Sequence, residues 1–306
     1  MNGVYVLAND SVYEHFVAFV KSFRKHNLTL PLTVIMFDER VSQIRTLSAQ
    51  YSFNLWDPPQ AGQMYEIGLK FYPENKVWPK IFKKICSFWG PYETFFFLDA
   101  DIIVFEDLSP ILEKFRTSDK DLLYFDAEPQ WVYKDTAFRE KMIRDFDTKH
   151  IGTGTFISRK EALTMQNITD ALAGFDQYRN EFVDVIEQPF LNYCIDIYRF
   201  KKIRINELDN KFSFSCWYDL ETREENHKIY WIYNNINMGI MVAMHWAGCG
   251  FSNIYLHHSS VQFLEARLAG EAAVNKYNYF LNFYHLRLRD ILFNRQKLVQ
   301  LFKLVF

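Results

Sequence analysis

Cysteine and long apolar runs are scarce in this sequence of 306 residues, and each scarcity excludes a class of protein. The four cysteines, Cys86, Cys194, Cys216 and Cys249, lack the paired spacing of a zinc site or a disulfide framework, which favours a reducing, cytoplasmic setting. No stretch approaches the roughly 18 consecutive apolar residues of a membrane-spanning helix. The chain does not open with a basic segment followed by an apolar one, so we expect no signal peptide.

The net charge is also small: the chain has 35 basic and 37 acidic residues, which gives a formal charge of −2. No whole-chain field attracts nucleic acid, so we expect no nucleic-acid partner. Aromatic residues, by contrast, make up 18% of the chain. Their flat rings can stack on sugars and bases, but we expect most of them to fill the core.

Apolar segments of strand length alternate with helical patterns through the first third of the chain. Residues 4–7, 32–37 and 53–56 are predicted strands, and residues 41–51 and 80–89 are predicted helices. Such alternation is typical of a parallel sheet. The sequence therefore predicts an α/β, Rossmann-like fold in which helices flank a mixed sheet.

The second half of the chain is less regular. Residues 122–125 and the apolar segment that ends at His245 are predicted strands, and helices are expected at 159–165 and from residue 187. The polar and aromatic segment 206–234 is expected to be irregular.

An apolar run over residues 95–105 is interrupted by two carboxylates, Asp99 and Asp101. A buried carboxylate without a partner costs several kcal/mol, so acids framed in this way usually meet a cation. In an extended strand, alternate side chains share a face. We therefore expect both aspartates to project from one face at a strand's carboxyl end and to bind a divalent metal. The alternative is that they cap the helix expected at 108–115.

Two further Asp-x-Asp patterns, at 119–121 and 145–147, lie in charged surroundings, so the spacing alone carries little information. The hydrophobic frame of Asp99 and Asp101 distinguishes them, because it fits a buried parallel strand.

With these residues placed, the chain resembles a glycosyltransferase of the GT-A fold, nearest to family 8, over roughly residues 4–251. The resemblance rests on Asp99-Ala100-Asp101 after an apolar strand and on His245-Trp246-Ala247-Gly248 downstream. It implies that Asp99, Asp101 and His245 bind Mn²⁺ (or Mg²⁺) against the diphosphate of a nucleotide-sugar donor, expected to be a UDP-sugar. The acceptor would be a saccharide, a lipid or another hydroxyl compound, and the outcome retention.

The same resemblance implies further donor contacts. Asp10 would bind the base or ribose beside Asn9, Tyr13 would stack on the base, and Lys80 would touch the phosphates. Glycines would let the backbone approach the donor closely. These glycines are Gly152, Gly154 and Gly248.

Three residues are expected to carry the chemistry. Glu187 and Gln188 resemble a pair that lies under the donor sugar, and Asp126 would meet donor or acceptor hydroxyls. Should the enzyme invert, Asp126 or Glu187 would be its general base. The family's Lys-Pro-Trp clamp is replaced here by Cys249-Gly250-Phe251, so phosphate charge would be neutralised by Lys80, His257 or His258.

The predicted domain is therefore a GT-A domain over 1–260, with a nucleotide-binding half (1–108) and an acceptor half (109–260). A C-terminal amphipathic helical extension follows at 261–306. From Lys276 it carries six basic residues against one acid. This extension could pack on its own domain, lie on an anionic membrane surface, or mediate homo-oligomerisation.

Two alternatives to a glycosyltransferase remain open. A haloacid-dehalogenase-type phosphatase also places Asp-x-Asp after an apolar strand, with Asp99 as nucleophile and Asp101 as acid. A non-enzymatic carbohydrate-binding or membrane-binding protein would use the aromatic residues and the basic tail, and would not need Asp101.

Overall fold

The structure is a computed structural model. It describes residues 1–125, 131–183, 187–215, 221–234, 236–246, 260–272 and 275. The predicted roles of Asp126, Gly248, His257 and His258 and of the basic segment from Lys276 lie outside the described residues.

Strands and helices alternate through the first third of the chain, as the apolar pattern predicts. The first strands are β1 (Asn2–Ala8), β2 (Leu32–Met36), β3 (Phe53–Trp56) and β4 (Thr94–Asp99), and the helices between them are α1 (Tyr13–His26), α2 (Ser42–Tyr51), α3 (Ala61–Phe71) and α4 (Trp78–Ile81).

Beyond β4 the elements become more varied. The later strands are β5 (Ile102–Val104), β6 (Leu122–Tyr124), β7 (Thr155–Arg159), β8 (Lys202–Arg204), β9 (Phe212–Ser215), β10 (Glu221–Glu225), β11 (Lys228–Tyr233) and β12 (Ile236–His245). The later helices are α5 (Ser109–Thr117), α6 (Ala137–Phe146), α7 (Met165–Gln177), α8 (Gln188–Ile197), α9 (Ile205–Leu208) and α10 (Ser260–Leu268).

The main sheet has seven strands in the order β3-β2-β1-β4-β7-β6-β8. Strands β3, β2, β1 and β4 are parallel, whereas β7 runs antiparallel to both β4 and β6. The predicted mixed α/β fold is confirmed. Strands from the predicted nucleotide-binding and acceptor halves share this one sheet.

A smaller sheet joins β10, β11, β12 and β5 in that order, with β9 beside β12. Strand β12 pairs antiparallel with β5, and His245 lies opposite Ile102. Only two residues, Ala100 and Asp101, separate the end of β4 from the start of β5. The smaller sheet therefore carries its last residue, His245, to the carboxyl end of β4.

Strand β4 is buried on both faces, which explains its uninterrupted apolar sequence. Phe95 and Phe97 pack into one hydrophobic cluster, while Phe96 and Leu98 pack into the cluster on the other side of the sheet. All four side chains are fully buried. At about 25 cal/mol per Å², each contributes an estimated 1.5–3 kcal/mol to folding.

The predicted helix at 80–89 is α4 followed by a 3₁₀ helix over Phe82–Trp89. Its fully buried residues Phe82, Ile85 and Phe88 recur every three positions, which is the period of a 3₁₀ helix. The segment packs beside β1, β2 and β4. This arrangement brings Lys84 to Asp99, the last residue of β4.

Two sequence predictions are wrong. The helix expected at 159–165 is absent, because Arg159 still pairs in β7 and the helix α7 begins only at Met165, where Thr164 caps it. The segment 206–234 is not irregular, since it contains β9, β10 and β11. Its aromatic and β-branched residues favour strands.

Helix α10, at the start of the predicted extension, packs against α1 and β5. Phe263 is fully buried, and Arg267 Nε lies 2.5 Å from Glu14 Oε2 in α1. Helix α10 therefore packs on the main body of the chain, whereas the packing predicted for the basic segment from Lys276 lies outside the described residues. Among the described residues, no helix combines the length and apolar character needed to cross a bilayer.

Candidate active site

Three predicted metal ligands converge at the carboxyl end of β4. The Nε2 atom of His245 lies 3.0 Å from Asp101 Oδ1 and 3.7 Å from Asp99 Oδ2. One ligand atom from each residue can be chosen so that all three lie within 4.8 Å of one another. His245 is buried, while the two aspartate side chains are about one quarter exposed, at 27% and 25%. The cluster therefore faces a partly open space.

The backbone explains this convergence. Asp99 is the last residue of β4, and its amide donates to the carbonyl of Gly154 at 2.9 Å. Asp101 follows in a turn, where its carbonyl accepts from the amide of Trp246 at 3.0 Å. The expectation that both aspartates alternate along one strand is therefore wrong. A tight turn between the two sheets, and not the strand period, brings their carboxylates together.

Gly154 lines the same space. A Cβ atom at this position would lie 2.5 Å from His245 Cε1 and 2.7 Å from Asp99 Oδ2. Both distances are too short for a side chain, so the absence of one keeps the cluster accessible. Two carboxylates and an imidazole suit Mn²⁺ or Mg²⁺ when phosphate oxygens and water complete the coordination shell. The residues present therefore fit the expected ion.

The two aspartates have opposite pKa shifts. Burial raises the pKa of Asp99 to about 6, with Asp101 and Glu187 adding to this and Lys84 and His245 opposing it. Burial also acts on Asp101, but the charge and hydrogen bond of His245 outweigh it and lower the pKa of that carboxyl. Two acids held apart in pKa at one spot are typical of a functional site.

Lys84 contacts the acidic cluster and was not predicted. Its Nζ lies 2.7 Å from Glu187 Oε1 and 3.3 Å from Asp99 Oδ1, and its side chain is only 4% exposed. Burial alone would lower the pKa of Lys84, but the charges of Asp99 and Glu187 outweigh burial and raise it. The ammonium group is therefore charged. The signal in the sequence was a lysine within the period-three apolar pattern of Phe82, Ile85 and Phe88.

Glu187 and Gln188, both predicted, lie at the start of α8 and reach the turn that precedes β7. The Thr153 hydroxyl donates to Glu187 Oε1 at 2.8 Å, and the Thr153 amide donates to Gln188 Oε1 at 3.1 Å. Glu187 is buried. Thr153, between the two predicted glycines Gly152 and Gly154, is a second contact that the sequence did not reveal.

Lys80 lies beside a different carboxylate. Its Nζ is 2.9 Å from Asp38 Oδ2, and Asn9 Nδ2 donates to Asp38 Oδ1 at 2.8 Å. Burial of Asp38 is outweighed by hydrogen bonds from Arg40, Asn9 and Lys80, which lower its pKa. Asn9 and Lys80 are thus brought together, at the carboxyl ends of β1 and β2. Their predicted contacts with a donor remain predictions.

Asp10 and Tyr13 follow β1, as the resemblance requires. The carboxylate of Asp10 accepts hydrogen bonds from Ser42 Oγ at 2.9 Å and from the amides of Gln43 and Ile44. It thereby caps α2, whose own N-cap residue offers no side-chain bond. Tyr13 is half-buried and packs against the core. A donor-binding role for either residue stays a prediction.

The capping alternative for Asp99 and Asp101 is not observed. At the start of α5 the N-cap residue is Leu108, and the side chain that accepts from the Ser109 amide is that of Asp107, at 2.9 Å.

Comparisons with known proteins agree with this architecture. No family model matches the chain, and no curated protein does. Solved structures do match it. The galactosyltransferase LgtC, in complex with donor and acceptor sugar analogues, is 13% identical with a TM-score of 0.58, over 89% of this chain and 97% of that one.

Two other solved structures share the fold. The bifunctional glycosyltransferase WbbM is 10% identical with a TM-score of 0.54, over 90% of this chain and 51% of its own. The glycosyltransferase GlyE of Streptococcus pneumoniae TIGR4 is 13% identical with a TM-score of 0.50, over 92% and 63%. The chain has the GT-A glycosyltransferase fold, and the phosphatase alternative is not supported.

Proposed function

We propose that this protein is a metal-dependent glycosyltransferase that moves a sugar from a nucleotide-sugar, expected to be a UDP-sugar, to an acceptor hydroxyl. One observation carries the proposal: Asp99, Asp101 and His245 converge at the edge of a GT-A sheet. In open α/β folds, ligands bind outside the carboxyl ends of the strands. The proposal fits that rule, and the neighbouring solved structures are glycosyltransferases.

Asp99, Asp101 and His245 would hold the Mn²⁺ or Mg²⁺ ion. When bound, such an ion supplies electrostatic stabilisation to a departing diphosphate. Gly154 leaves room for the ligand, and the oxygen and imidazole donors are already assembled. Single preorganised contacts of this kind are typically worth about 10² to 10³ in rate.

Glu187, Gln188 and Thr153 lie beside the metal ligands, joined to Asp99 through Lys84. Lys84 and the Thr153 hydroxyl both bind Glu187 Oε1, so that oxygen is fixed in place. Gln188 Oε1 faces the Thr153 amide. These contacts hold the start of α8 against the turn containing Gly152 and Gly154. A donor sugar lying in this space would meet a rigid polar surface.

We propose retention as the stereochemical outcome, because the resemblance to family 8 implies it. An inverting enzyme needs a carboxylate that accepts the acceptor's proton. Of the two candidate bases, Glu187 is buried with its Oε1 bound by both Lys84 and Thr153, and Asp126 lies outside the described residues. In a retaining reaction the leaving phosphate can accept that proton on the same face of the sugar.

A thermal-shift panel with UDP-, GDP- and dTDP-sugars, each with and without Mn²⁺, tests the proposal. We expect one nucleotide-sugar to stabilise the protein only when Mn²⁺ is present. The variant Asp101→Asn should lose that stabilisation. Asp147→Asn is the matched control, because Asp147 belongs to an Asp-x-Asp of the same spacing but its side chain is 78% exposed.

Stabilisation that is indifferent to Mn²⁺, or unchanged by Asp101→Asn, would argue against the proposal. Retained carbohydrate binding in Asp101→Asn would instead favour the non-enzymatic alternative. Mass spectrometry of products formed from a panel of saccharide and lipid acceptors then identifies the second substrate. The configuration of the new bond, read by NMR, decides between retention and inversion.

A further inference from the structure

Lys84 is enclosed by acceptors. Besides Glu187 Oε1 and Asp99 Oδ1, its ammonium lies 3.4 Å from the carbonyl oxygen of Thr153. Three acceptors match the three hydrogens that a lysine ammonium offers. The ring of Phe97 lies beneath, with its centroid 5.2 Å from Nζ. This charge therefore has a fixed position and little contact with water.

The charge balance around Lys84 is uneven. Asp99, Asp101 and Glu187 contribute three carboxylates within one connected cluster, and Lys84 is the lysine that contacts two of them. Glu187 is buried, and the Asp99 side chain is largely shielded from solvent. Without a cation between them, two such carboxylates would repel each other and lose solvation.

We propose that Lys84 is the internal counter-ion of this site: it holds Asp99 and Glu187 together before a divalent ion binds, and its charge weakens the binding of that ion. The inference rests on the proposed function, because it concerns the same cluster. An ammonium group 3.3 Å from a metal ligand repels a second cation strongly, since the Coulomb energy falls only slowly over a few ångströms in a partly buried site.

This arrangement links metal binding to the substrate. Lys84 offsets part of the attraction that Asp99 exerts on a cation. The negative charge of a diphosphate bound together with the ion would compensate for the charge of Lys84, so the ion would bind more tightly. The site is therefore tuned to hold the ion most firmly together with an anionic donor.

Titration of the protein with Mn²⁺ alone, by isothermal calorimetry, tests the inference without any nucleotide. We expect Lys84→Met to bind Mn²⁺ at least about fivefold more tightly than the wild type, because a neighbouring positive charge is removed. The matched control is Lys83→Met on the same helix, which makes the same charge change at a side chain without an ion pair among the described residues. Its affinity should stay within about twofold of the wild type.

Glu187→Gln gives a second measurement, should Lys84→Met fail to fold. Removing that carboxylate leaves the Lys84 charge directed at Asp99 alone, so Mn²⁺ should bind several-fold more weakly. Unchanged or weaker binding in a folded Lys84→Met, or unchanged binding in Glu187→Gln, overturns the inference and leaves the proposed function standing. Absence of Mn²⁺ binding in the wild type and in both variants, even with nucleotide-sugars present, overturns both.

Discussion

Gly154 faces His245 so closely that a methyl group on its Cα would lie 2.5 Å from the imidazole Cε1. The same methyl group would lie 2.7 Å from Asp99 Oδ2. Gly154→Ala should therefore force both side chains out of their positions. We expect its Mn²⁺-dependent thermal stabilisation to disappear, while the metal-free protein loses about 1–3 kcal/mol from overpacking. Thermal shift with and without Mn²⁺ measures both effects.

Gly62 provides the matched control for that substitution. It lies near the start of α3, and a Cβ there would meet nothing within 4 Å. Gly62→Ala should raise the free energy of unfolding by about 0.5–1 kcal/mol and leave the Mn²⁺ response intact. A Gly154→Ala variant that behaves like Gly62→Ala would show that the space beside His245 is dispensable.

The sequence was sufficient for most of the main sheet, β8 being missed, and for naming three metal-ligand candidates that the structure brings together. Strand β4 is buried on both faces, so its apolar run is diagnostic, and the two aspartates that end the run stand out against it. His245, at the apolar end of β12, was found through the family resemblance of His245-Trp246-Ala247-Gly248. Burial imposes a pattern on the sequence, and these elements follow it.

Contacts between segments far apart in the sequence could not be recognised from its apolar pattern. Lys84 meets Glu187 and Thr153 only because a 3₁₀ helix, α8 and a turn assemble around it. The cap on α2 comes from Asp10, more than thirty residues upstream. Strands β9 to β11 were also missed, because half-exposed strands with mixed polar and aromatic residues lack clear alternation. Tertiary packing decides these features.

Asp10 offers a test that separates capping from donor binding. Its carboxylate accepts hydrogen bonds from the amides of Gln43 and Ile44. These amides lie in the first turn of α2, where the helix itself offers them no acceptor. Asp10→Ala should lower the free energy of unfolding by about 1 kcal/mol, the usual cost of losing a helix cap. Urea denaturation, at neutral pH and without nucleotide, measures the change.

Asp10→Asn is the control for that experiment, because an amide oxygen can still accept the hydrogen bonds of the cap. Its stability should lie within about 0.5 kcal/mol of the wild type. If Asp10→Ala is as stable as the wild type, the cap is energetically unimportant. A loss of nucleotide-sugar binding in Asp10→Asn, at unchanged stability, would then assign the carboxylate to the donor.

Titration of His150 should make the free energy of unfolding depend on pH. It is buried, its Nδ1 has no hydrogen-bond partner among the residues that the structure describes, and burial lowers its pKa to about 4, with the charges of Arg139 and Lys202 adding to the shift. The unfolded chain binds a proton near the ordinary pKa of about 6.5. The unfolded state therefore gains protons first as pH falls. The neutral imidazole contributes stability above pH 6.5 that is lost between pH 6.5 and 4.

The expected loss is up to about 3 kcal/mol across that window. His150→Asn removes the titrating group, and the backbone φ of 52° at this position is one that asparagine tolerates. The variant will be less stable overall, but its free energy of unfolding should fall less steeply between pH 6.5 and 4. Equal slopes in the two proteins, measured by urea denaturation at several pH values, would contradict the assignment.

Phe263, at the start of the C-terminal extension, packs next to the metal-ligand candidate His245. It is fully buried, and its ring packs against Trp246, the residue that follows His245, with a centroid distance of 5.8 Å. Phe263→Ala should cost about 3–5 kcal/mol, because it leaves a cavity between α10, α1 and β12. Its Mn²⁺ affinity should fall as well, since Trp246 loses its packing.

Glu265→Ala is the control, because Glu265 is an exposed residue of the same helix, and it should change neither the stability nor the Mn²⁺ affinity. Were Phe263→Ala as stable as this control, α10 would not be part of the folded domain, and the extension would have to be treated as an independent segment.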